Sequence, residues 1–250
     1  MKNLKLAAVC LSCLTMTGCS ALNFSVEGLI NAPKLTSEQS EIHQALIESV
    51  GSNITLKYPK NGEYRSAYVI ANIDDEPTDE AMVFYEYTSN GSEEDGLRVN
   101  ILDKDEDGKW YSVKELAGAG TDIDQVIISP MGSNNQTDVF VGYQNLTNDE
   151  KTMEIYSYTD GDFKRVALDT YSVLEPLDIN NDGYIELITI QRSTNNDTGA
   201  VTAKASMLNM KNNEITRGEN VDMCDNVTSY VSSKTGMLDL SLIHISEPTR

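Results

Sequence analysis

The sequence is poor in cysteine and histidine, and both shortages argue against whole classes of site. Three of its four cysteines fall at positions 10, 13 and 19, so only Cys224 lies beyond the first twenty residues. No intrachain disulfide framework is therefore available, and Cys224 is predicted to be a small core residue. The two histidines are His43 and His244. So few histidines argue against a histidine-rich metal site and against a Ser/His/Asp triad. We interpret His43 as a solvated residue of a surface helix.

Positive charge is also scarce. The chain has 19 Lys and Arg against 39 Asp and Glu, which gives a formal net charge of −20. Such a surface repels phosphate backbones and argues against nucleic-acid binding. It suits divalent cations and basic partners, although an acidic surface that serves only solubility would have the same composition.

The chain opens with an apolar run that is too short to be a permanent membrane span. Leu6 to Thr15 follows two lysines and precedes Met16-Thr17-Gly18-Cys19. This order resembles a bacterial lipoprotein signal ending in a lipobox. The resemblance implies a signal peptide over residues 1–18 and a diacylated Cys19, whose two acyl chains would anchor the protein stably to the membrane. An ordinary secretory signal with a chance cysteine is the alternative.

After a polar tether over residues 19–35, the pattern predicts one short helix over residues 36–51. Thr36 and Gln39 fit a capping box, and Gly51 fits a C-terminal glycine stop. Apolar residues recur at helical spacing and predict one buried face. They are Ile42, Ala45, Leu46 and Val50.

From residue 52 the chain reads as β structure, and one acidic stretch organises it. Asp178-Ile179-Asn180-Asn181-Asp182-Gly183-Tyr184-Ile185-Glu186 has side-chain oxygens at positions 1, 3, 5 and 9 and glycine at position 6. A hard cation such as Ca²⁺ takes about six to eight oxygen ligands. An EF-hand is not indicated, because its position 12 would be Thr189. We predict a structural Ca²⁺ site, with a polar turn without metal as the alternative. Its ligands would be Asp178, Asn180, Asp182, Glu186 and the carbonyl of Tyr184.

Two weaker copies of this stretch precede it. The segment from 72 to 80 aligns without a gap, but Pro77 replaces the loop glycine and cannot adopt a positive φ, so we predict weak metal binding. The middle copy leads to Asp138 and lacks the other carboxylates, so we predict no metal there. The weak candidate ligands are Asn72, Asp74, Glu76 and Glu80, and the middle copy has Ser129, Ser133 and Asn135 in place of carboxylates.

Two further segments read as turns. Asp103-Lys104-Asp105-Glu106-Asp107-Gly108 begins like the acidic stretch but has Tyr111 at position 9. It separates two strand-like runs and predicts a hairpin turn, with a metal site as the alternative. Asn61-Gly62 predicts another hairpin, between Ile54–Tyr58 and Tyr64–Ile73.

The acidic stretch between two strands resembles the FG-GAP (VCBS-type) repeats of β-propellers, and the chain is similar to clostridial-type envelope lipoproteins with such repeats. In that family the loop joins the first two strands of a blade and often holds Ca²⁺. The resemblance implies an all-β β-propeller with four-stranded blades, preceded by one short N-terminal α-helix. The blades are predicted at about 67–121, 122–172 and 173–226, within a region that spans 52–239.

The C-terminal residues are predicted to be foreign to the fold. Residues 240–250 look like the translation of a sequencing adapter, with a genuine tail as the alternative. Three blades and a fragment from Tyr230 onward would not close a propeller, which typically needs about four to eight blades. This incomplete count independently predicts that the natural chain continues beyond Asp239.

These features together predict a binding module and not an enzyme. The module would be extracytoplasmic, lipid-anchored to the bacterial cell membrane through Cys19, and would present loops to a protein or glycan partner. Two alternatives stay open. One is a glycan-active propeller enzyme, because carboxylate pairs can perform glycoside chemistry. The other is a purely structural envelope protein.

Overall fold

The computed structural model describes residues 35–88, 96–131, 136–145, 150–179, 181–194, 197, 200–211 and 214–225. The predictions for the signal peptide, Cys19, Ser133, Asn135, Asn180 and the tail 240–250 lie outside these residues, as does the prediction for the side chain of Cys224. In the part that is described, no helix is both long and apolar enough to cross a membrane.

One α-helix and fourteen β-strands form the described structure. The helix, α1, is Ser37–Val50. The strands are β1 Ile54–Leu56, β2 Tyr68–Ala71, β3 Glu80–Tyr87, β4 Leu97–Lys104, β5 Trp110–Ala117, β6 Asp122–Ser129, β7 Asp138–Gln144, β8 Lys151–Thr159, β9 Asp162–Tyr171, β10 Val173–Leu177, β11 Glu186–Thr194, β12 Val201–Lys211, β13 Glu214–Arg217 and β14 Val221–Asp225.

The helix begins and ends as its sequence predicts. The chain divides into two compact units, one ending at Ser40 and one beginning at Glu41. In the first unit, the Gln39 amide donates to Thr36 Oγ1 and the Thr36 amide donates to Gln39 Oε1, both at 3.1 Å, which is the predicted capping box. In the second unit, the Gly51 amide donates to the Ile47 carbonyl at 2.9 Å, and Gly51 has a φ of 85°. A positive φ explains why glycine occupies this position.

The strands form three antiparallel sheets, which confirms the predicted all-β class. The first sheet has the order β1-β3-β4-β5, with β2 also paired to β3. The second is β6-β7-β8-β9, and the third is β10-β11-β12-β13, with β14 also paired to β12. Because β1 and β2 pair with different parts of β3, and β13 and β14 with different parts of β12, every sheet is four strands wide.

The predicted hairpin at Asn61-Gly62 is wrong. Gly62 does adopt a positive φ of 80°, as a turn there requires. The strands on either side, however, both pair with β3 and not with each other. Between them the chain crosses to the second sheet, where the Asn61 amide donates to the Asp124 carbonyl at 2.7 Å. Both strands that flank Asn61-Gly62 therefore pair with the long apolar strand β3 and not with each other.

Three hydrophobic clusters join neighbouring elements: one lies between α1 and the first sheet, one between the first and second sheets, and one between the second and third sheets. In the second unit, Ile42, Ala45 and Leu46 of α1 pack on the first sheet around Tyr85 and Trp110. The first and second sheets share a core that includes Phe84 and Val141, and the second and third share one that includes Phe140 and Leu187. Alternate residues of a strand face opposite sides, so β7 contributes to both of these cores.

A buried polar network lies inside the second sheet. Asp124 of β6 is 2 % exposed. Its Oδ1 accepts hydrogen bonds from Asn61 Nδ2 and Lys151 Nζ, each at 2.8 Å, and its Oδ2 accepts one from Tyr171 Oη at 2.7 Å. Gly142 makes room for this arrangement, because a Cβ there would lie 2.1 Å from Tyr171 Oη. The network ties the crossing segment to β6, β8 and β9.

Candidate cation-binding loops

The third loop, between β10 and β11, is closed by hydrogen bonds from its own backbone. Asp178 Oδ1 accepts from the Asp182 amide at 3.1 Å, and Oδ2 accepts from the Gly183 amide at 3.0 Å. Asp182 Oδ1 accepts from the Tyr184 amide at 2.9 Å. Asn181 and Gly183 have φ values of 58° and 90°, so the glycine occupies a left-handed position, as its sequence position predicts.

The last carboxylate of the acidic pattern makes the same bond in all three sheets. In each case the carboxylate belongs to the first residue of the strand that follows the loop, namely β3, β7 or β11. It accepts a hydrogen bond from a backbone amide seven residues earlier. The bonds are Ile73 N to Glu80 Oε2 at 2.8 Å, Met131 N to Asp138 Oδ2 at 3.0 Å and Ile179 N to Glu186 Oε2 at 2.9 Å.

This carboxylate therefore has a structural role that sequence analysis missed. Glu80 and Glu186 were predicted only as metal ligands, and no metal was predicted at the middle copy that leads to Asp138. Asp138 makes the bond in the middle copy, where Ser129 stands in place of one of the acidic residues. The constant spacing of seven residues between an apolar amide donor and an acid at a strand start was the available signal. The bond fixes each loop to the strand that follows it.

The oxygen atoms that the third loop offers are suitable ligands for Ca²⁺. Carboxylate, amide and carbonyl oxygens are the ligands that this ion prefers. Asp178 and Glu186 are half-buried, and Asp182 is exposed. Across the described ranges, which leave out Asn180, no three acidic, histidine or cysteine side chains form a group that could hold a metal as they stand.

The first loop, between β2 and β3, closes differently. Asn72 Nδ2 donates to the carbonyls of Glu76 and Thr78 at 2.5 and 3.0 Å, and Asp74 Oδ1 accepts from the Glu76 amide at 2.7 Å. The Asn72 side chain thus bridges the two residues on either side of Pro77. The loop needs no left-handed residue at this point, which explains how it tolerates proline.

Glu80 is the most unusual titratable group of these loops. Glu80 is 3 % exposed, and its Oε1 atom is buried without a hydrogen-bond partner among the described residues. Burial raises the pKa of its carboxyl group to about 7, the hydrogen bond from the Ile73 amide opposes the shift, and the negative charges of Asp74 and Asp103 add to it. The folded protein therefore holds a proton here at mildly acidic pH.

Glu80 is expected to make stability fall as pH rises. Its pKa lies above the ordinary value of 4.5, so the stabilising protonated form is fully present below that value and is lost as pH rises through about 7. Between pH 5 and 8 the free energy of unfolding should drop by on the order of 2 kcal/mol from this group. Urea unfolding at several pH values, in buffer that contains a metal chelator, measures this drop in the free energy of unfolding. Glu80→Gln should flatten the profile by this amount, and parallel profiles for the two proteins would contradict the assignment.

The segment after β4 is a hairpin turn, as predicted. The Gly108 amide donates to the Asp105 carbonyl at 2.8 Å, and Gly108 has a φ of 76°. Asp105 Oδ1 also accepts from the amides of Asp107 and Lys109 at 3.0 and 2.9 Å. The first carboxylate of this segment belongs to Asp103, which lies on β4 and accepts a long hydrogen bond of 3.4 Å from Tyr111 Oη.

The loops of the three sheets lie at one end of the stack. The β2–β3 loop and the β4–β5 turn share an end of the first sheet because its strands alternate in direction. Lys114 Nζ of β5 contacts Asp162 Oδ1 at the start of β9 at 2.5 Å, and the Ile185 amide donates to the Pro130 carbonyl at 3.0 Å. We call the described residues 72–79, 103–109, 160–162, 178–179 and 181–185 the acid-rich end.

His43 lies away from the acid-rich end and is not simply solvated. It is half-buried, and its Nδ1 lies 2.8 Å from Tyr68 Oη. Tyr68 belongs to β2, so this contact helps to hold α1 on the first sheet. Sequence analysis missed it because the two residues are distant along the chain.

Comparison with known protein families, curated proteins and solved structures found no significant match to this chain. The geometry and chemistry of the described residues are therefore the basis on which a function can be proposed.

Proposed function

We propose that this chain is a lipid-anchored, extracytoplasmic binding module whose three sheets are blades of a β-propeller. The observation that carries the proposal is the bond between a strand-start carboxylate and an amide seven residues earlier, which fixes one loop of every sheet. Loops held on a rigid scaffold are a common location for binding residues. The lipobox-like segment ending at Cys19 supports the anchor.

The charge of the acid-rich end indicates what the partner should carry. Asp75, Glu76, Asp107 and Asp182 are exposed there, and the whole chain has a net charge of −20. Burial, followed by the negative charges of Asp75 and Asp74, raises the pKa of Tyr158 on the second sheet. The acidic field thus extends across two sheets, and it favours a protein or glycan partner that bears positive charge.

The proposal predicts that neutralising the acid-rich end weakens binding to envelope material. The full chain carrying Cys19→Ala, which removes retention through lipid, is mixed with isolated envelope fractions and the bound share is measured. Asp75→Asn with Asp107→Asn should lower binding by about threefold or more, with a shallower salt dependence. Glu63→Gln with Glu219→Gln is the control, since it removes equal charge from exposed residues elsewhere. Equal binding by both double variants would contradict the proposal.

We further propose that the third loop binds Ca²⁺. When bound, the ion supplies positive charge among Asp178, Asn180, Asp182 and Glu186, with the Tyr184 carbonyl as a further ligand. Binding to the folded state alone would stabilise the protein by about 2.7 kcal/mol at a hundredfold excess over Kd. At extracellular concentrations even a Kd on the order of 10⁻⁴ M would keep the site occupied.

Thermal melts with Ca²⁺ and with chelator measure this effect. Asp182→Asn should reduce the Ca²⁺-dependent rise in Tm, because asparagine retains an acceptor for the Tyr184 amide but removes a charge. Asp107→Asn, in the hairpin turn, is the matched control and should leave the rise unchanged. An unchanged Tm in the natural sequence, or an equal loss on mutating Glu80 and Glu186, would contradict a site in the third loop.

A further inference from the structure

The Asn61-Gly62 dipeptide is fixed by the structure although it forms no hairpin. Asn61 holds the crossing segment on the second sheet through two bonds to one residue. Its backbone amide donates to the Asp124 carbonyl at 2.7 Å, and its Nδ2 donates to Asp124 Oδ1 at 2.8 Å. Gly62 has a φ of 80°, and a Cβ there would lie 3.3 Å from Gln125 Cβ. The bond to Asp124 therefore explains the asparagine, and the left-handed backbone explains the glycine.

Asn61 and Gly62 also form the dipeptide in which asparagine reacts most readily with its own backbone, because glycine has no side chain to hinder ring closure. The Gly62 nitrogen attacks Asn61 Cγ, so that a new C–N bond forms and the bond from Cγ to Nδ2 breaks. Nδ2 leaves as ammonia and takes the proton of the Gly62 amide. Water then opens the resulting succinimide at one of its two carbonyl carbons, which gives aspartate or isoaspartate.

The groups that react at this dipeptide are accessible. Both residues are exposed, so water can reach the ring that they form. Within the described part of the chain, no group accepts a hydrogen bond from the Gly62 amide, which is the attacking nitrogen. The bond from Asn61 Nδ2 to Asp124 must open before ammonia can leave. The folded state is therefore expected to slow the reaction without preventing it.

The product places a negative charge beside a buried carboxylate. Asp124 is 2 % exposed, and its Oδ1 accepts from both Asn61 Nδ2 and Lys151 Nζ. Replacing Nδ2 by oxygen turns a donor into an acceptor and leaves two carboxylates to share one ammonium group. Like charges at such a distance repel. Isoaspartate also adds one atom to the backbone path, which displaces the amide that donates to the Asp124 carbonyl.

We propose that Asn61 is a site of spontaneous deamidation, and that the aspartate or isoaspartate formed there releases the crossing segment from Asp124. Water is the only co-reactant, and the change is irreversible because ammonia is lost. It weakens the junction at which the crossing segment joins β1 to the second sheet. This modification site does not depend on the function proposed for the whole chain.

Peptide mapping by mass spectrometry tests the chemistry. The full chain is aged at mildly alkaline pH, with and without urea, and isoaspartate is detected by enzymatic methylation. Asn61 is expected to convert progressively in the folded protein, and faster in urea, where its bonds to Asp124 are absent. The sequence contains a second dipeptide of this kind, Asn90-Gly91, which lies outside the described residues and serves as the internal reference. No conversion at Asn61 of the folded protein after Asn90 has converted fully would overturn the proposal.

Two variants test the consequence for the fold. Asn61→Asp imitates the product, whereas Asn61→Ala removes the side-chain bond without adding a charge. In urea unfolding, Asn61→Asp should lower the folding equilibrium constant by about tenfold more than Asn61→Ala. In an Asp124→Asn background, which keeps the shape of the side chain, this difference should vanish because the repulsion is gone. Equal losses in the natural background, or a difference that persists with Asp124→Asn, would show that the new charge does not act on Asp124 and would overturn the proposal.

Discussion

Replacing Asp124 by alanine is expected to lower the free energy of unfolding by about 4 kcal/mol, since breaking a buried charge pair from one side leaves the other charge uncompensated. Asp124 is 2 % exposed and accepts hydrogen bonds from Asn61, Lys151 and Tyr171. Alanine leaves a buried tyrosine hydroxyl and a largely buried ammonium group without their acceptor. Urea unfolding monitored by tyrosine and tryptophan fluorescence measures the loss.

Asp122→Ala is the matched control for this prediction. Asp122 lies two residues earlier on the same strand and pairs with Lys60 at 2.9 Å and with Lys57 at 3.7 Å. Its side chain is 30 % exposed, and exposed ion pairs contribute about 0–1 kcal/mol. If Asp124→Ala were no more destabilising than Asp122→Ala, Asp124 would not be the centre of a network.

Replacing Asp138 by alanine is expected to cost about 3 kcal/mol, because each buried donor left without a partner costs about 1–3 kcal/mol. Asp138 is 0 % exposed and accepts hydrogen bonds from the Met131 amide and the Ser157 hydroxyl, which are buried as well. Its loss also frees the β6–β7 loop from the strand that follows. The same unfolding measurement tests it.

Glu186→Ala in the third sheet provides the comparison for Asp138→Ala. Glu186 makes the equivalent bond to the Ile179 amide, but that bond is exposed, so water can replace the lost acceptor. A loss of about 1 kcal/mol or less is expected there in the absence of Ca²⁺. Equal losses at the two positions would show that burial does not set the strength of this bond.

Local signals in the sequence are sufficient to predict some elements. The helix follows from Thr36, Gln39 and Gly51, which act within one turn of its ends. The turn at Gly108 and the left-handed position at Gly183 follow from the conformational freedom of glycine. The all-β class follows from short apolar runs separated by turn residues. In each case the residues that decide the structure are close together along the chain.

Contacts between distant segments could not be predicted in the same way. The hairpin predicted at Asn61-Gly62 is wrong because its flanking strands pair with β3, a choice that depends on a segment further along the chain. Asp124 was not singled out, because its partners come from three different segments. Glu80 was predicted as a weak ligand from its spacing, whereas its burial depends on the packing of the first sheet against the second.

The segment that crosses from β1 to the second sheet has a consequence for the order of folding. Its Lys60 and Asn61 amides donate to the carbonyls of Ile123 and Asp124 at 3.1 and 2.7 Å. A chain emerging from the ribosome therefore cannot form these two bonds until β6 has been synthesised, although every strand of the first sheet precedes β6. Together with the core that the two sheets share, these bonds are expected to couple the unfolding of the first sheet to that of the second. Amide hydrogen exchange tests this coupling, because the amide protons of the two sheets should then exchange with similar opening free energies.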